Sequence, residues 1–463
     1  MHGSDGTASG AVRDPEGRGS RFVGHRSINR QPGAAPVIWT IRTLGEIARQ
    51  AGGEVRTGPF GSQLHKSDYV EDPAATPVVM PKDMVDGRVD PTSIARVDDR
   101  VVERLSSHVL RTGDIVLGRR GEIGRRAWTG DMEDGWICGT GSMRITINGS
   151  TEIRPRFLFY YLGLPQTIGW LQGHAVGATM SNLSAGVVQQ LPVRYPSIAV
   201  QDAIVRVLDE VEILIENNRR RIEILEEAAR LLYREWFVHF RFPGHEDIQL
   251  VDTDLGSIPR GWSQTCLSEE LELQRFNIKP FEFADEEFDH YSIPAFDDRR
   301  LPSRELGPEI RSGKYLLAGE SVMVSKLNPR FPRVWRVDRS HHHRRAVAST
   351  EFLVLTNPDR WPLSFVYGLV TSPDFAARLA TTAGGTSTSH QRVKPADVMT
   401  MTVVSPPPAI VERYSAKVRP MLELADNLLE QVEVLRKARD LLLPRLIAGT
   451  LDVSRLDLSP VPM

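Results

Sequence analysis

The chain has 463 residues, 41% hydrophobic and 25% charged, with a formal net charge of −2 at pH 7. That length supplies two or three ordinary cores, and the near-neutral balance gives no global sign of a nucleic-acid binder, so such a role must rest on local patches. No apolar run approaches the ~20 residues needed to cross a bilayer and no signal-peptide core opens the sequence, so the expectation is a cytoplasmic protein without a membrane partner.

Residues 1–37 are rich in Gly, Ser, Arg and Pro, with Phe22, Val23 and Ile28 nearly the only large apolar side chains. Such a segment cannot bury enough surface to order itself, and reads as a disordered arm or as an upstream over-extension of the reading frame. Residues 38–196 follow as a globular domain opening at Trp39. They carry the loop Gly58-Pro59-Phe60-Gly61-Ser62 with Lys66 shortly after, then Arg119-Arg120-Gly121, Arg125-Arg126, and the run Gly177 to Ser184 containing Thr179 and Asn182. Exposed backbone N–H groups, hydroxyls and arginines hold phosphates, and Arg forks read guanine edges. The plainer alternatives are that Phe60 plugs the core beneath its loop and that the Arg pair is a solvated face.

A long helix is predicted over 197–242, between Pro196 and Pro243-Gly244. Its seam reads Ile204, Leu208, Val211, Ile215, Asn218, Ile222, Leu225, Ala229, Leu232 and Trp236, with steps alternating four and three. Unbroken, it would be on the order of 60 Å long, too long for a small core and suited to a spacer or docking surface. Asn218 on the seam fixes register at a cost in stability; alternatively, Asn217 and Asn218 divide two shorter helices.

A linker, 243–256, leads to a second domain, 257–407, opening at Trp262. Its basic and hydroxyl residues are Lys326, Asn328, Arg330, Arg333 and Arg336, then the run Gly384 to Arg392 with Thr386, Ser387 and Thr388. A second helix over 408–448 repeats the seam about 210 residues on: Tyr414, Val418, Met421, Ala425, Leu428, Val432, Leu435, Arg439, Leu442 and Leu446. Pro420 should break or kink it, leaving Met421 to Leu443 as its strongest stretch, and Arg439 should snorkel or meet an acid on the facing helix. Residues 449–463 form a tail.

The repeat extends beyond the helices. Gly113 to Leu117 followed by Arg119 matches Gly319 to Met323 followed by Lys326, and Leu191-Pro192-Val193 matches Met401-Thr402-Val403. The fold class is therefore α+β: two mixed α/β domains in pseudo-twofold repeat, each followed by a long helix, the helices pairing as an antiparallel coiled coil.

No catalytic motif emerges. Asn328-Pro329-Arg330-Phe331 has Arg where a methyltransferase's target-amine loop needs a second Pro, and Gly313-Lys314 lacks the rest of a phosphate cradle. His341-His342-His343 lacks the spacing that converges on one metal ion. Cys138 and Cys266 form no redox motif and are expected as buried thiols. The expectation is no metal and no cofactor.

Two variable domains, each followed by a long helix, resemble the DNA specificity subunit of type I restriction-modification systems, over most of the chain from about Trp39 to Val453. The resemblance is carried by Leu191 to Gln201, by Ile222 to Glu226 with Leu231 to Val238, and by Arg439 to Gly449. Val200-Gln201-Asp202 and Val411-Glu412 depart from that family's usual acidic-Gln pair at the start of each spacer. The resemblance implies a non-catalytic subunit whose domains each read half of a split site on double-stranded DNA. It further implies that the helices set the distance between half-sites and dock two modification subunits, which bind S-adenosylmethionine and methylate adenine, and through them ATP-driven restriction subunits. Because the halves differ in sequence, the site should be asymmetric. The competing readings are a self-contained methyltransferase or nuclease, and a protein-only coiled-coil adaptor.

Overall fold

A computed structural model describes residues 38–149, 152–177, 181–337, 344–356, 360–384, 391–451 and 453. The arm 1–37, Thr179, His341 to His343, Thr386 to Thr388 and most of the tail lie outside the described residues.

Each half is built on the same antiparallel sheet. In the first, the strand order is Glu54–Thr57, Ser142–Thr146, Ile115–Gly118, Arg126–Trp128; in the second it is Glu272–Leu273, Phe352–Thr356, Ser321–Ser325, Val334–Val337. The strand Ile115–Gly118 is buried along its whole length because both faces are covered. Ile115 and Leu117 point into the main core beneath the helix Pro155–Tyr161, while Val116 alternates into a second layer with Val79, Ala127 and Cys138.

A second sheet repeats as well. Ile137–Cys138 runs parallel to Thr76–Val79, which pairs antiparallel with Ala95–Val97. In the other half Arg345–Ala348 runs parallel to Glu287–Tyr291, which pairs antiparallel with Ser303–Leu306. A short ribbon closes each half where its long helix departs: Thr40–Thr43 with Pro192–Tyr195, and Ser263–Cys266 with Thr402–Ser405.

The central helix spans Ile198–Tyr233 after an N-cap at Ser197, and continues as a π-helical turn, Arg234–Val238, until Phe240 turns left-handed at φ 58°. No break occurs at Asn217. The distal helix spans Pro408–Ile447, with a proline in its first turn where the missing N–H costs nothing. The two run antiparallel: Glu212 meets Arg439, Asn218 meets Gln431, and the Ala229 carbonyl accepts from Tyr414 Oη. Each helix serves both halves. Ile204 and Leu208 join Leu443, Leu446 and Ile447 in the first core, and Ala229, Tyr233, Trp236 and Phe237 join Val411, Tyr414, Val418 and Leu422 in the second.

Three expectations are corrected. Pro420 neither breaks nor ends the distal helix. Its ring and Ala416, whose carbonyl loses its partner, both lie on the exposed face, where water replaces the bond. The distal seam also drifts from the expected alternation, with Leu422, Arg436 and Leu443 buried while Met421, Leu435 and Leu442 are half-buried. A 3.6-residue turn slips against a strict heptad unless supercoiling corrects it, and Arg436 turns inward to an acid on the first half. Cys138 is fully buried, which pushes its thiol up to about 12, but Cys266 is only half-buried.

Candidate nucleic-acid interface

The matched basic residues of the two halves occupy one backbone frame. In the first half Arg119 N–H donates to the Gly141 carbonyl at 2.9 Å, and its own carbonyl accepts from Leu183 N–H at 2.9 Å. In the second half Lys326 N–H donates to the Glu351 carbonyl at 2.8 Å, and its carbonyl accepts from Val393 N–H at 3.0 Å. The next residues form matching bridges, Arg120 with Asn182 and Leu327 with Arg392; Asn182 and Arg392 are bridged in turn by Val176 and Gly384. Each frame ties the end of a central strand to the chain leaving the glycine- and hydroxyl-rich run.

In the first half this frame gathers Phe60, Arg119, Arg120 and Asn182. Asn182 Oδ1 accepts from Arg119 Nη1 at 3.0 Å and from Arg120 Nε at 3.3 Å, and the Arg119 guanidinium carbon lies 5.7 Å from the Phe60 ring centre. Phe60 is 56% exposed. It is not a core plug; the buried Leu64 anchors the loop instead, with Gln63 and Leu64 N–H both donating to the Phe60 carbonyl. Gly58 is required by close approach, since a Cβ there would sit 2.0 Å from the Gly139 carbonyl oxygen. Ser62 and Lys66 are exposed along the same loop.

Arg119 is 2% exposed, with Nε and Nη2 buried and unpartnered, and burial together with the charge of Arg120 lowers its pKa. It organises the cluster, while the exposed Arg120 and Phe60 face solvent. Arg125 turns instead to Glu122 and the Met84 carbonyl. Its neighbour Arg126 is structural: it donates to the Phe159 carbonyl at 2.8 Å, and burial lowers its guanidinium to about 10.

The second half gathers Lys326, Asn328, Glu351 and Arg392. Burial lowers the Lys326 ammonium, with Arg275 and Arg392 adding to the effect and Glu351 opposing it. Arg392 forms a bidentate pair with Glu351, both contacts at 3.0 Å, so a phosphate would have to compete for it. Asn328 takes a left-handed φ of 49°, donates its N–H to the Gln391 carbonyl and leaves Oδ1 buried without a partner. That turn carries Arg330 and Phe331 outward, Phe331 being 70% exposed. Arg333 and Arg336 are not part of this surface: Arg333 pairs with Asp297, and Arg336 with Asp426 of the distal helix.

Two residues beside this cluster escaped the sequence reading. Arg275 and Phe276 are exposed, just after the strand Glu272–Leu273 that pairs as Glu54–Thr57 does in the first half. The signal was present, since an aromatic follows the equivalent strand in both halves, but the spacing there departs from the shared repeat.

Among the described residues no group of His, Cys, Asp or Glu is arranged to hold a metal ion, and no helix is long and apolar enough to cross a membrane. Residues 36–227 match the sequence model of the family described as type I restriction modification DNA specificity domain. The chain is 23% identical over 453 residues to the type I restriction enzyme MjaIX specificity subunit of Methanocaldococcus jannaschii, covering 92% of this chain and 96% of that protein. It is 22% identical over 244 residues to the putative MjaX specificity subunit of the same organism, covering 51% of this chain and 54% of that one. The crystal structure of a type I restriction-modification S subunit from M. genitalium shares the fold, with a TM-score of 0.53 at 14% identity, covering 89% of this chain and 97% of that one.

Proposed function

We propose that the chain is a type I restriction-modification specificity subunit, the non-catalytic subunit that selects the DNA sequence on which partner subunits act; the match of residues 36–227 to the specificity-domain model and the 23% identity over 453 residues to a specificity subunit support this reading. Each half reads one part of an asymmetric, bipartite site on double-stranded DNA, and the antiparallel helices hold the halves apart. The carrying observation is the shared frame that places Arg119 with Arg120 in one half, and Lys326 in the other, at the same point of the same topology. Antiparallel helices relate the halves by a pseudo-twofold, so two similar surfaces can address duplex DNA in opposite orientations. Their side chains differ, Arg120 and Asn182 against Leu327 and Arg392, which supports unlike half-sites.

The helices carry exposed apolar residues, Ile213, Leu214 and Ile224 on the central one and Leu424, Val434 and Leu441 on the distal one. Two modification subunits dock there, and restriction subunits join through them. The test is to map methylated adenines in DNA from cells expressing this chain with its modification subunit. The expected result is one bipartite motif with unequal halves at fixed separation. Methylation without sequence preference would overturn the proposal, and stoichiometric S-adenosylmethionine binding by the chain alone would favour a self-contained methyltransferase.

A further inference from the structure

The segments that join equivalent strands in the two halves, 80–94 and 292–302, differ in shape yet reach the same helical pair. The first contains a hairpin, Met84–Val85 with Arg88–Val89, turned by Asp86 and Gly87 at φ 52° and 83°. Positive φ at both central residues defines the tight turn that suits Asp-Gly. Gly87 is further fixed because a Cβ there would meet the Phe159 ring at 2.9 Å. The second contains the helix Ile293–Arg299, closed by Arg300 in the left-handed conformation at φ 58°.

Both arms end on the long helices in ion pairs. Asp86 accepts from Arg219 Nη2 of the central helix at 2.6 Å and from Arg436 of the distal helix, and Arg88 beside it meets Glu216. From the other half, Arg300 pairs with Glu226 of the central helix, and Arg299 Nη1 lies 2.8 and 3.0 Å from the Glu433 carboxylate of the distal helix. Arg436 Nη1 is 3.8 Å from Glu433 Oε2. A chain of alternating charge, Asp86, Arg436, Glu433, Arg299, thus crosses from one half to the other over the distal helix.

Burial alone would raise the Asp86 carboxyl, but Arg436 and Arg219, with Arg439 and Arg299 behind them, hold it below the usual carboxylate range. The middle members are desolvated, Arg436 and Glu433 having side chains only 10% and 17% exposed. Removing one charge leaves a desolvated partner with fewer and more distant counter-charges, Glu433 keeping Arg436 and Lys437, and Arg436 keeping Glu433 at 3.8 Å, which costs more than losing a surface pair. The place of contact also matters. The first core grips the central helix at Ile204 and Leu208, whereas Asp86 touches it at Arg219, about 20 Å further along at 1.5 Å per residue. Each half is thus held at two separated points, which restrains it against swinging about its anchored end.

We infer that this ion chain is a brace between the two halves, with Asp86, Glu433 and Arg299 acting as positioning residues that restrict the half-site separation the protein accepts. The part concerning DNA rests on the proposed function; the mechanical part does not.

The test uses the full chain with Cys266→Ser, spin labels at Glu71→Cys and Arg311→Cys, and electron-electron distance measurement between the halves. Asp86→Asn suits the left-handed turn and removes only the charge; Arg299→Gln does the same on the other side. Each variant should broaden the distance distribution and lower the melting midpoint without unfolding the chain, and the double variant should broaden the distribution no further. Unchanged distributions, or fully additive broadening, would overturn the brace.

With the modification subunit added, and half-site separation varied one base pair at a time, Asp86→Asn should raise methylation at neighbouring separations by about fivefold or more while base preference within each half-site stays the same. A broadened distance with unchanged separation tolerance would overturn the link to spacing. If the unsubstituted complex shows no bipartite preference, the functional reading fails while the distance measurement still judges the brace.

Discussion

Asn218 of the central helix donates from Nδ2 to Gln431 Oε1 of the distal helix at 3.3 Å, across a seam otherwise filled by residues such as Ile215, Ile222, Ala425 and Leu428. A buried amide in an apolar seam favours the one alignment in which it finds a partner, at some cost in stability. Asn218→Leu should therefore stabilise the folded chain by roughly 1–2 kcal/mol through added apolar burial, with exposed Gln431 returning its amide to water. Denaturant titration measures this, and a lower midpoint would mean that the hydrogen bond outweighs burial.

Pro420 sits inside the distal helix on its exposed face. An interior proline costs about 3 kcal/mol relative to alanine, while losing the ring returns roughly 0.4–1 kcal/mol of entropy to the unfolded chain. Pro420→Ala should thus gain about 2 kcal/mol without altering DNA selection. A loss of stability would show that the distal helix needs a local bend at that point.

These helices were legible because seam residues such as Ile204, Leu208, Val418 and Leu428 recur with helical period, a local signal. Where the seam would slip was not legible, because the inward turn of Arg436 depends on Asp86, which is far away in sequence. The sheets were less legible still. Ile137–Cys138 is only 2 residues long, and its parallel pairing with Thr76–Val79 is set by packing rather than by any local pattern. At the candidate interface, the match of Arg119 to Lys326 could be read from the repeat, but the exposure of Phe60 could not. Whether a loop aromatic points in or out depends on its neighbours, here on Leu64 filling the space beneath it.

Phe60 and Arg120 separate contact from folding. Both are exposed, so Phe60→Ala and Arg120→Ala should leave the melting midpoint within experimental scatter. In gel-shift titrations with the modification subunit present, Arg120→Ala should weaken binding by about 1–3 kcal/mol and relax preference within one half-site if it reads a base edge. If it meets a phosphate, affinity should fall uniformly and the salt slope should drop by about 1. Unchanged affinity for both variants would remove this loop from the interface.

Two buried histidines should make stability depend on pH. Burial lowers His108, with Arg56 and Arg144 adding to the effect, and burial also lowers His290 despite its contact with Glu305 at 3.1 Å. Both are neutral in the folded chain where the unfolded chain begins to protonate, near pH 6.5. Stability is then full above that pH and falls as pH drops toward the lower folded-state values, because the unfolded state binds more protons. His108→Phe should flatten this slope. Denaturant midpoints from pH 8 to pH 5 with equal slopes in both proteins would refute the assignment.

The antiparallel pair changes how the spacer must be tested. Both helices are anchored in both cores, through Ile204 and Leu446 at one end and Tyr233 and Tyr414 at the other. Seven residues inserted in the central helix alone would bulge or shift the seam. Matched insertions, one heptad after Arg221 and one after Glu423, lengthen both rods by about 10.5 Å at 1.5 Å per residue. At about 3.4 Å per base pair, the preferred half-site separation should grow by roughly three base pairs, with the bases read in each half unchanged. The inserted turns also move the Asp86 and Arg299 arms relative to one another and break the ion chain between them, so the new optimum should be broader than the original. Methylation mapping on a library of separations reads both quantities at once, and an optimum that stays at the original separation would rule out the helices as the element that sets it.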